Sequence, residues 1–199
     1  MGNILNGSNY GMWLGYSWNG NVVKDNVMGN CSTAGIAIEH GRGNVIDGNV
    51  IADGMNNGIM LWTDLQIHFP MSQYQCLNIT DQAHSNSYMI RNNWIIGNKQ
   101  FGIQLMNTTN STVYNNYIDD GMNGGKTAED IQSNVGNKWN VMQSKDGAPN
   151  IVGGPYIGGN YYSDYDGKDC GNGFGCTSYN DTGLMGNGGD QLPLIKQDQ

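Results

Sequence analysis

Asn21-Val-Val-Lys-Asp-Asn26-Val-Met28 and Asn44-Val-Ile-Asp-Gly-Asn49-Val-Ile51 lie 23 residues apart and read as two copies of one pattern. Met89-Ile-Arg-Asn-Asn93-Trp-Ile95 and Thr112-Val-Tyr-Asn-Asn116-Tyr-Ile118 carry it twice more. The shared Asn recurs at Asn3, Asn26, Asn49, Asn93, Asn116 and Asn140, in steps of 23, 23, 44, 23 and 24. A second element follows in each unit: Gly11-Met-Trp-Leu14, Gly35-Ile-Ala-Ile38, Gly58-Ile-Met-Leu61 and Gly102-Ile-Gln-Leu105. A fixed period of about 20–50 residues marks a solenoid or an array. Short alternating strands with Asn and Gly at the corners specify an all-β chain, a right-handed parallel β-helix with coils of about 23 residues. Residues one period apart then stand side by side at about 4.8 Å.

Strand alternation assigns the faces. Met12/Leu14, Ile36/Ile38, Ile59/Leu61 and Ile103/Leu105 form inward stacks, and Trp13, Ala37, Met60 and Gln104 face outward. The corner Asn tolerates left-handed backbone geometry. Stacked on its equivalents, it can also hydrogen-bond along the solenoid axis. The Asn column is therefore read as architecture.

The chain is one domain with two parts. Residues 1–145 make roughly six coils, and 146–199 break the period as an irregular C-terminal cap. The 44-residue step conceals one coil plus 21 extra residues, an excursion placed at 62–87 that contains His68, Pro70, Cys76 and His84. Loops of this length in compact folds are functional or disordered. The N-terminal end, at Met1, opens inside a coil without the charged-then-apolar pattern of a secretion signal. An open first coil needs a cover. The chain thus reads as part of a longer protein, or as one that self-associates through its uncapped first coil.

Composition narrows the function classes. Of 199 residues 31 are Gly, only 13% are charged, and the net charge is −8 with pI near 4.5. A nucleic-acid groove would need a basic stripe, and nucleic acid is excluded as a partner. No run approaches the ~18 apolar residues of a membrane span. Of four Cys, Cys170-Gly-Asn-Gly-Phe-Gly-Cys176 closes a tight loop that reads as a disulfide. Cys31 and Cys76 are expected to tether the excursion to a neighbouring coil. Disulfides and acidity point to an extracellular or cell-surface location. The Cys lack metal-site spacing, and the 11 Met read as core filler.

Gly35-Ile-Ala-Ile-Glu-His-Gly41, Leu14-Gly-Tyr-Ser17 and Gly58-Ile-Met-Leu-Trp-Thr-Asp64 resemble the coils of the carbohydrate-binding and sugar-hydrolase β-helices, a class that includes NosD-like proteins. The tail from Gly158-Gly-Asn-Tyr-Tyr-Ser-Asp-Tyr-Asp-Gly167 to Gln191-Leu-Pro-Leu194 is similar to the closing segment of archaeal surface NosD-like proteins. In those proteins an Asp-rich, Gly-spaced loop implies calcium. Here Asp169-Cys-Gly-Asn-Gly-Phe-Gly-Cys176 has Cys where that pattern has acids, so a disulfide is expected in place of a calcium clip and no cofactor is assigned.

The segments that follow each Gly-Ile strand gather an unusual set on one outer strip. Trp13, Trp18 and Trp62, with Tyr16, His40 and Arg42, join two carboxylates, Glu39 and Asp64. A solvated face does not carry three Trp, whereas sugar recognition uses aromatic faces for the ring and charged groups for hydroxyls or uronates. Trp13, Trp18, Arg42 and Trp62 are the candidate binding residues. Glu39 and Asp64 are candidate hydrolytic carboxyls, needing about 5–5.5 Å between them for retention or roughly 6.5–9.5 Å for inversion. His40 and Tyr16 are the base and acid of the alternative, β-elimination from an acidic polysaccharide with Arg42 neutralising the uronate. Asp119-Asp120 also looks like an acid pair but begins a turn at Gly121. The expected function is glycan binding, with hydrolase or lyase activity undecided. The alternative is a structural or assembly module of a cell surface or filament, with open coil ends stacking between chains.

Overall fold

The computed structural model describes residues 1–18, 20–63, 85–120 and 136–196, together with the backbone of 126–130. Successive coils contribute short strands to three parallel sheets. Sheet I holds β1 (Ile4–Asn6), β4 (Val27–Gly29), β7 (Val50–Ala52), β11 (Trp94–Ile96), β15 (Tyr117–Asp119) and β17 (Tyr161–Tyr162), in that spatial order. Sheet II holds β2 (Tyr10–Gly15), β5 (Ala34–Glu39), β8 (Asn57–Trp62), β12 (Phe101–Met106) and β16 (Lys126–Asp130). Sheet III holds β3 (Val22–Lys24), β6 (Val45–Asp47), β10 (Met89–Arg91) and β14 (Thr112–Tyr114). A short pair, β9 (Ser85–Asn86) and β13 (Thr108–Thr109), patches the corner between sheets II and III.

The registers place period-related residues opposite one another: Val22↔Val45, Val27↔Val50, Ile36↔Ile59 and Ile59↔Ile103. The inward stacks of Ile36, Ile38, Ile59, Leu61, Ile103 and Leu105 are fully buried against Met28, Ile46, Ile51, Ile90 and Ile95. Each such aliphatic side chain contributes about 1.5–3 kcal/mol on leaving water. Ala37 and Gln104 lie on the outer face as expected but are buried there; the Gln104 amide oxygen accepts from Asn57 Nδ2 at 3.0 Å. The Gly that opens each sheet II strand has a packing reason. A Cβ on Gly35 would sit 2.2 Å from Ile51 Cγ2 and 2.9 Å from the Gly58 carbonyl oxygen, so only a bare backbone passes there.

The Asn column runs through the corner between sheets III and I with one polarity. The backbone N–H and Nδ2 of Asn26 both donate to Asn49 Oδ1, at 3.1 and 2.9 Å. Asn49 donates in the same way to Asn93, and Asn93 to Asn116. The second amide hydrogen turns back to a strand carbonyl, Ile46 in the case of Asn93. Two details differ from the sequence reading. The left-handed residue is the one before the ladder Asn: Asp25, Gly48, Asn92 and Asn115 all have positive φ. And the rung after Asn116 is Asn160, not Asn140. Asn140 lies at the right spacing but outside the column, where its Oδ1 accepts from the Gln191 N–H at 3.2 Å. Between Trp139, which is still in phase, and Asn160 the chain makes a second excursion, so the last rung and β17 come from the segment read as cap.

The column ends on Asp190, fully buried, whose Oδ2 accepts from the Asn160 N–H at 2.6 Å and from the Tyr162 hydroxyl at 3.2 Å. A ladder in which every rung donates onward needs an acceptor at its end, which a carboxyl oxygen supplies in either protonation state. A parallel column, Gly54–Asn98–Asp120, ends the same way, with the Asn98 N–H donating to Asp120 Oδ1 at 2.7 Å. Burial pushes the carboxyls of Asp190 and Asp120 up to about 7, against the hydrogen bonds that favour their charged forms. Asp120 is therefore a ladder terminus rather than half of a surface acid pair. Trp139, Tyr162, Phe174 and Met185 close the core at this end.

Candidate functional site

The outer face of sheet II and its corner with sheet III carry the aromatic and charged residues singled out above. Register sets Glu39 between Gly15 on one side and Trp62 on the other, with Met106 beyond Trp62. Trp13, on β2 at the edge of sheet II, pairs with Ala37 one row away and is 58% exposed, with a small residue on one side and no described strand on the other. Tyr10 leans against Trp13 with ring centroids 5.5 Å apart. Glu39 and Trp62 are half-buried.

At the corner the chain turns through left-handed residues, Tyr16 (φ 47°), His40 (φ 51°) and Asn107 (φ 47°). Asn and His tolerate this region, whereas a bulky Tyr is an outlier there. Tyr16 and His40 stack with centroids 4.7 Å apart and planes 6° from parallel. The stack engages one face of each ring and leaves His40 8% exposed and Tyr16 41% exposed. Trp18 Nε1 donates to the His40 carbonyl at 2.9 Å, and the Arg42 guanidinium lies over the Trp18 ring at 5.8 Å. The corner thus joins Tyr16, Trp18, His40 and Arg42 across two coils, while Glu39, Trp13 and Trp62 occupy the adjoining sheet face. Asp64 lies outside the described residues, so the carboxyl separation that distinguishes retention from inversion has no value here.

The cysteines divide. Cys170 and Cys176 form a disulfide with Cα atoms 5.1 Å apart. Just before that loop, Asp169 Oδ1 accepts from the N–H groups of Gly171, Asn172 and Gly173 within it at 2.7–3.1 Å, so backbone donors occupy the carboxylate. Cys31 is a buried free thiol directed at the Gly29 carbonyl, 3.6 Å away, and is not half of a bridge; its expected partner Cys76 lies outside the described residues.

Two surfaces were missed in the sequence. Trp94, Tyr117 and Tyr161 stack along the outer face of sheet I at 4.3 and 4.5 Å. Their positions one rung apart are visible as Asn93-Trp94, Asn116-Tyr117 and Asn160-Tyr161, once Asn160 is accepted as a rung. The stack covers both faces of Tyr117 and one face each of Trp94 and Tyr161, which makes it a poorer platform for a sugar ring than an unstacked aromatic. The other surface is a cavity beside Lys138, created by the second excursion and by the cap.

Three sheets of parallel rungs, a polar column at one corner and a varied outer strip define a parallel β-helix of the solenoid class. Residues 1–167 match the family model described as periplasmic copper-binding protein (NosD), and the chain belongs to that family. Searches of curated proteins and of solved structures return no match. Among the described residues no group of three or more His, Cys, Asp or Glu is placed to hold a metal ion. The imidazole and free-thiol donors there are His40, stacked on Tyr16, and the buried Cys31, beside methionine thioethers. His40 and Cys31 alone do not make a copper site.

Proposed function

We propose that this chain is an exported β-helix protein, working in the periplasm or at the cell surface, that binds glycan along the outer strip of sheet II. The observation that carries the reading is Trp13, a large aromatic held 58% exposed on a regular sheet face, one row from Glu39 and Trp62. Such a ring has no core to serve and offers a flat apolar face beside a carboxylate. The disulfide and the family's description support an oxidising compartment. Among the described residues no helix is long and apolar enough to cross a membrane. Hydrolysis through Glu39, or elimination using His40 and Tyr16, extends the same reading.

A polysaccharide panel scored for binding, reducing ends and unsaturated products tests it. At least one glycan should bind, and Trp13→Ala or Trp62→Ala should weaken that binding about tenfold without lowering Tm. On any glycan that is cleaved, Glu39→Gln should keep binding and lose turnover. Absence of binding across the panel refutes the reading. The family's description favours a second reading, copper binding, to which the described residues contribute no cluster of three or more His, Cys, Asp or Glu.

A further inference from the structure

We propose that the cavity between the last rung of sheet III and the C-terminal cap is a subsite for a carboxylated sugar residue. The inference rests on the glycan reading above and names the sugar chemistry.

The cavity arises where the repeat stops. Lys138 extends sheet III by bridging to Thr112, and Trp139 still points into the core. From Asn140 the chain leaves the coil path, and Gln191 and Leu192 of the cap cross in front of it, tied by the bond from the Gln191 N–H to Asn140 Oδ1. The result is a cavity of about 590 Å³ lined by Thr112, Lys138, Asn140, Val141, Met142, Gln191 and Leu192. That size suits one or two sugar rings.

The lining combines three chemistries. Lys138 supplies a cation; it is exposed and forms no ion pair with any described residue. Thr112, Asn140 and Gln191 supply a hydroxyl and two amides. Val141, Leu192 and Met142 supply an apolar wall, and Met142 is 89% exposed, so the wall lacks a cover. Among the described residues no acid lines the cavity, although the chain holds 17 Asp and Glu against 9 Lys and Arg. A bare anion would leave the apolar wall unused, and a neutral sugar would leave Lys138 unpaired. A uronic acid residue uses all three, with its carboxylate on Lys138, its hydroxyls on the amides and its C–H face on the wall.

The rest of sheet III agrees. Its outer face also carries Lys24 and Arg91, but Asp47 sits between them at 4.0 and 3.3 Å and cancels one of the two charges. Arg91 lies two rungs before Lys138, about 10 Å along the axis at the usual strand spacing. An acidic chain lying along this face would meet a second cation there. Local charge thus outweighs the net charge of −8.

Calorimetric titration of the whole chain tests this, with hexamers of galacturonate, glucuronate, mannuronate and guluronate, their carboxyl-reduced counterparts, and the free monosaccharides. At least one uronate hexamer should bind about tenfold tighter than its reduced form, with an advantage that shrinks as salt is raised. Lys138→Ala should remove that advantage and Lys138→Arg should retain it. Tight binding of a free uronate would make the ligand a small acid rather than a chain and overturn the polymer assignment. Equal binding of acidic and reduced hexamers, or a preference that survives Lys138→Ala, sinks the proposal. If neutral hexamers bind and Trp13→Ala weakens them while no uronate preference exists, this subsite alone falls. If no hexamer binds, this subsite falls, while the glycan reading falls only if the wider polysaccharide panel is also negative.

Discussion

Two corners of the same coil obey different rules. Between sheets III and I, every described rung from Asn26 to Asn160 uses the same buried amide with the same bonds along the axis. Between sheets II and III, Tyr16, His40 and Asn107 share one left-handed backbone state but not a side chain. The first corner is buried, so its backbone groups need a side chain that both donates and accepts, and Asn fits. The second is partly open to solvent, so the backbone asks only for a tolerable φ and the side chain is free for other work. Uniformity marks what the fold requires, and variety marks where function can be placed.

The largest expected effect attacks the uniform corner. Asn93→Ala removes the acceptor of Asn49 and the donors to Ile46 and Asn116 in one step. At about 1–3 kcal/mol for each buried group left unsatisfied, the loss should be on the order of 3–5 kcal/mol. Urea unfolding of the variant measures it. A loss under 1 kcal/mol would show that the column is not what holds the rungs.

The next effect tests how the column ends. Asp190 has a folded pKa of about 7 against an unfolded value near 3.9, so the native state binds its proton more tightly. Stability from this group is full below about pH 4, declines as pH rises, and is lost above about pH 7. Asp120 acts in the same direction. Tm should therefore fall between about pH 4 and pH 7, and Asp190→Asn should flatten the fall. A Tm that climbs steadily over that range would contradict the assignment.

The smallest effect lies at the varied corner. His40→Asn trades a stacked ring for a residue better suited to positive φ. These terms, a loss of about 0.5–1.5 kcal/mol for the ring pair and a similar relief of backbone strain, nearly cancel. A stability change within about 1 kcal/mol is expected. A loss as large as that of Asn93→Ala would move this corner into the architecture.

Legibility followed the same division. The Asn and Gly-Ile spacings gave the parallel sheets, the inward stacks and the pairing of Glu39 with Trp62, because in a solenoid register is period. Cys170 and Cys176, six residues apart, were legible because their loop is local. The rung at Asn160 was not, since Asn140 stands 24 residues after Asn116 and imitates the repeat, whereas the true step is 44.

Local spacing by itself determined that this chain coils, which residues face the core and which columns stack, since each depends only on neighbours one turn away. The tertiary structure alone decided how the coil ends and what its surface offers. Asp190 meets Asn160 from 30 residues away, Gln191 meets Asn140 from 51 away, and Tyr16 and His40 each spend one ring face on the other. Such contacts follow from where the excursions and the cap come to rest. No period encodes those positions, because they are fixed by which buried donors and apolar edges the last rungs leave unsatisfied.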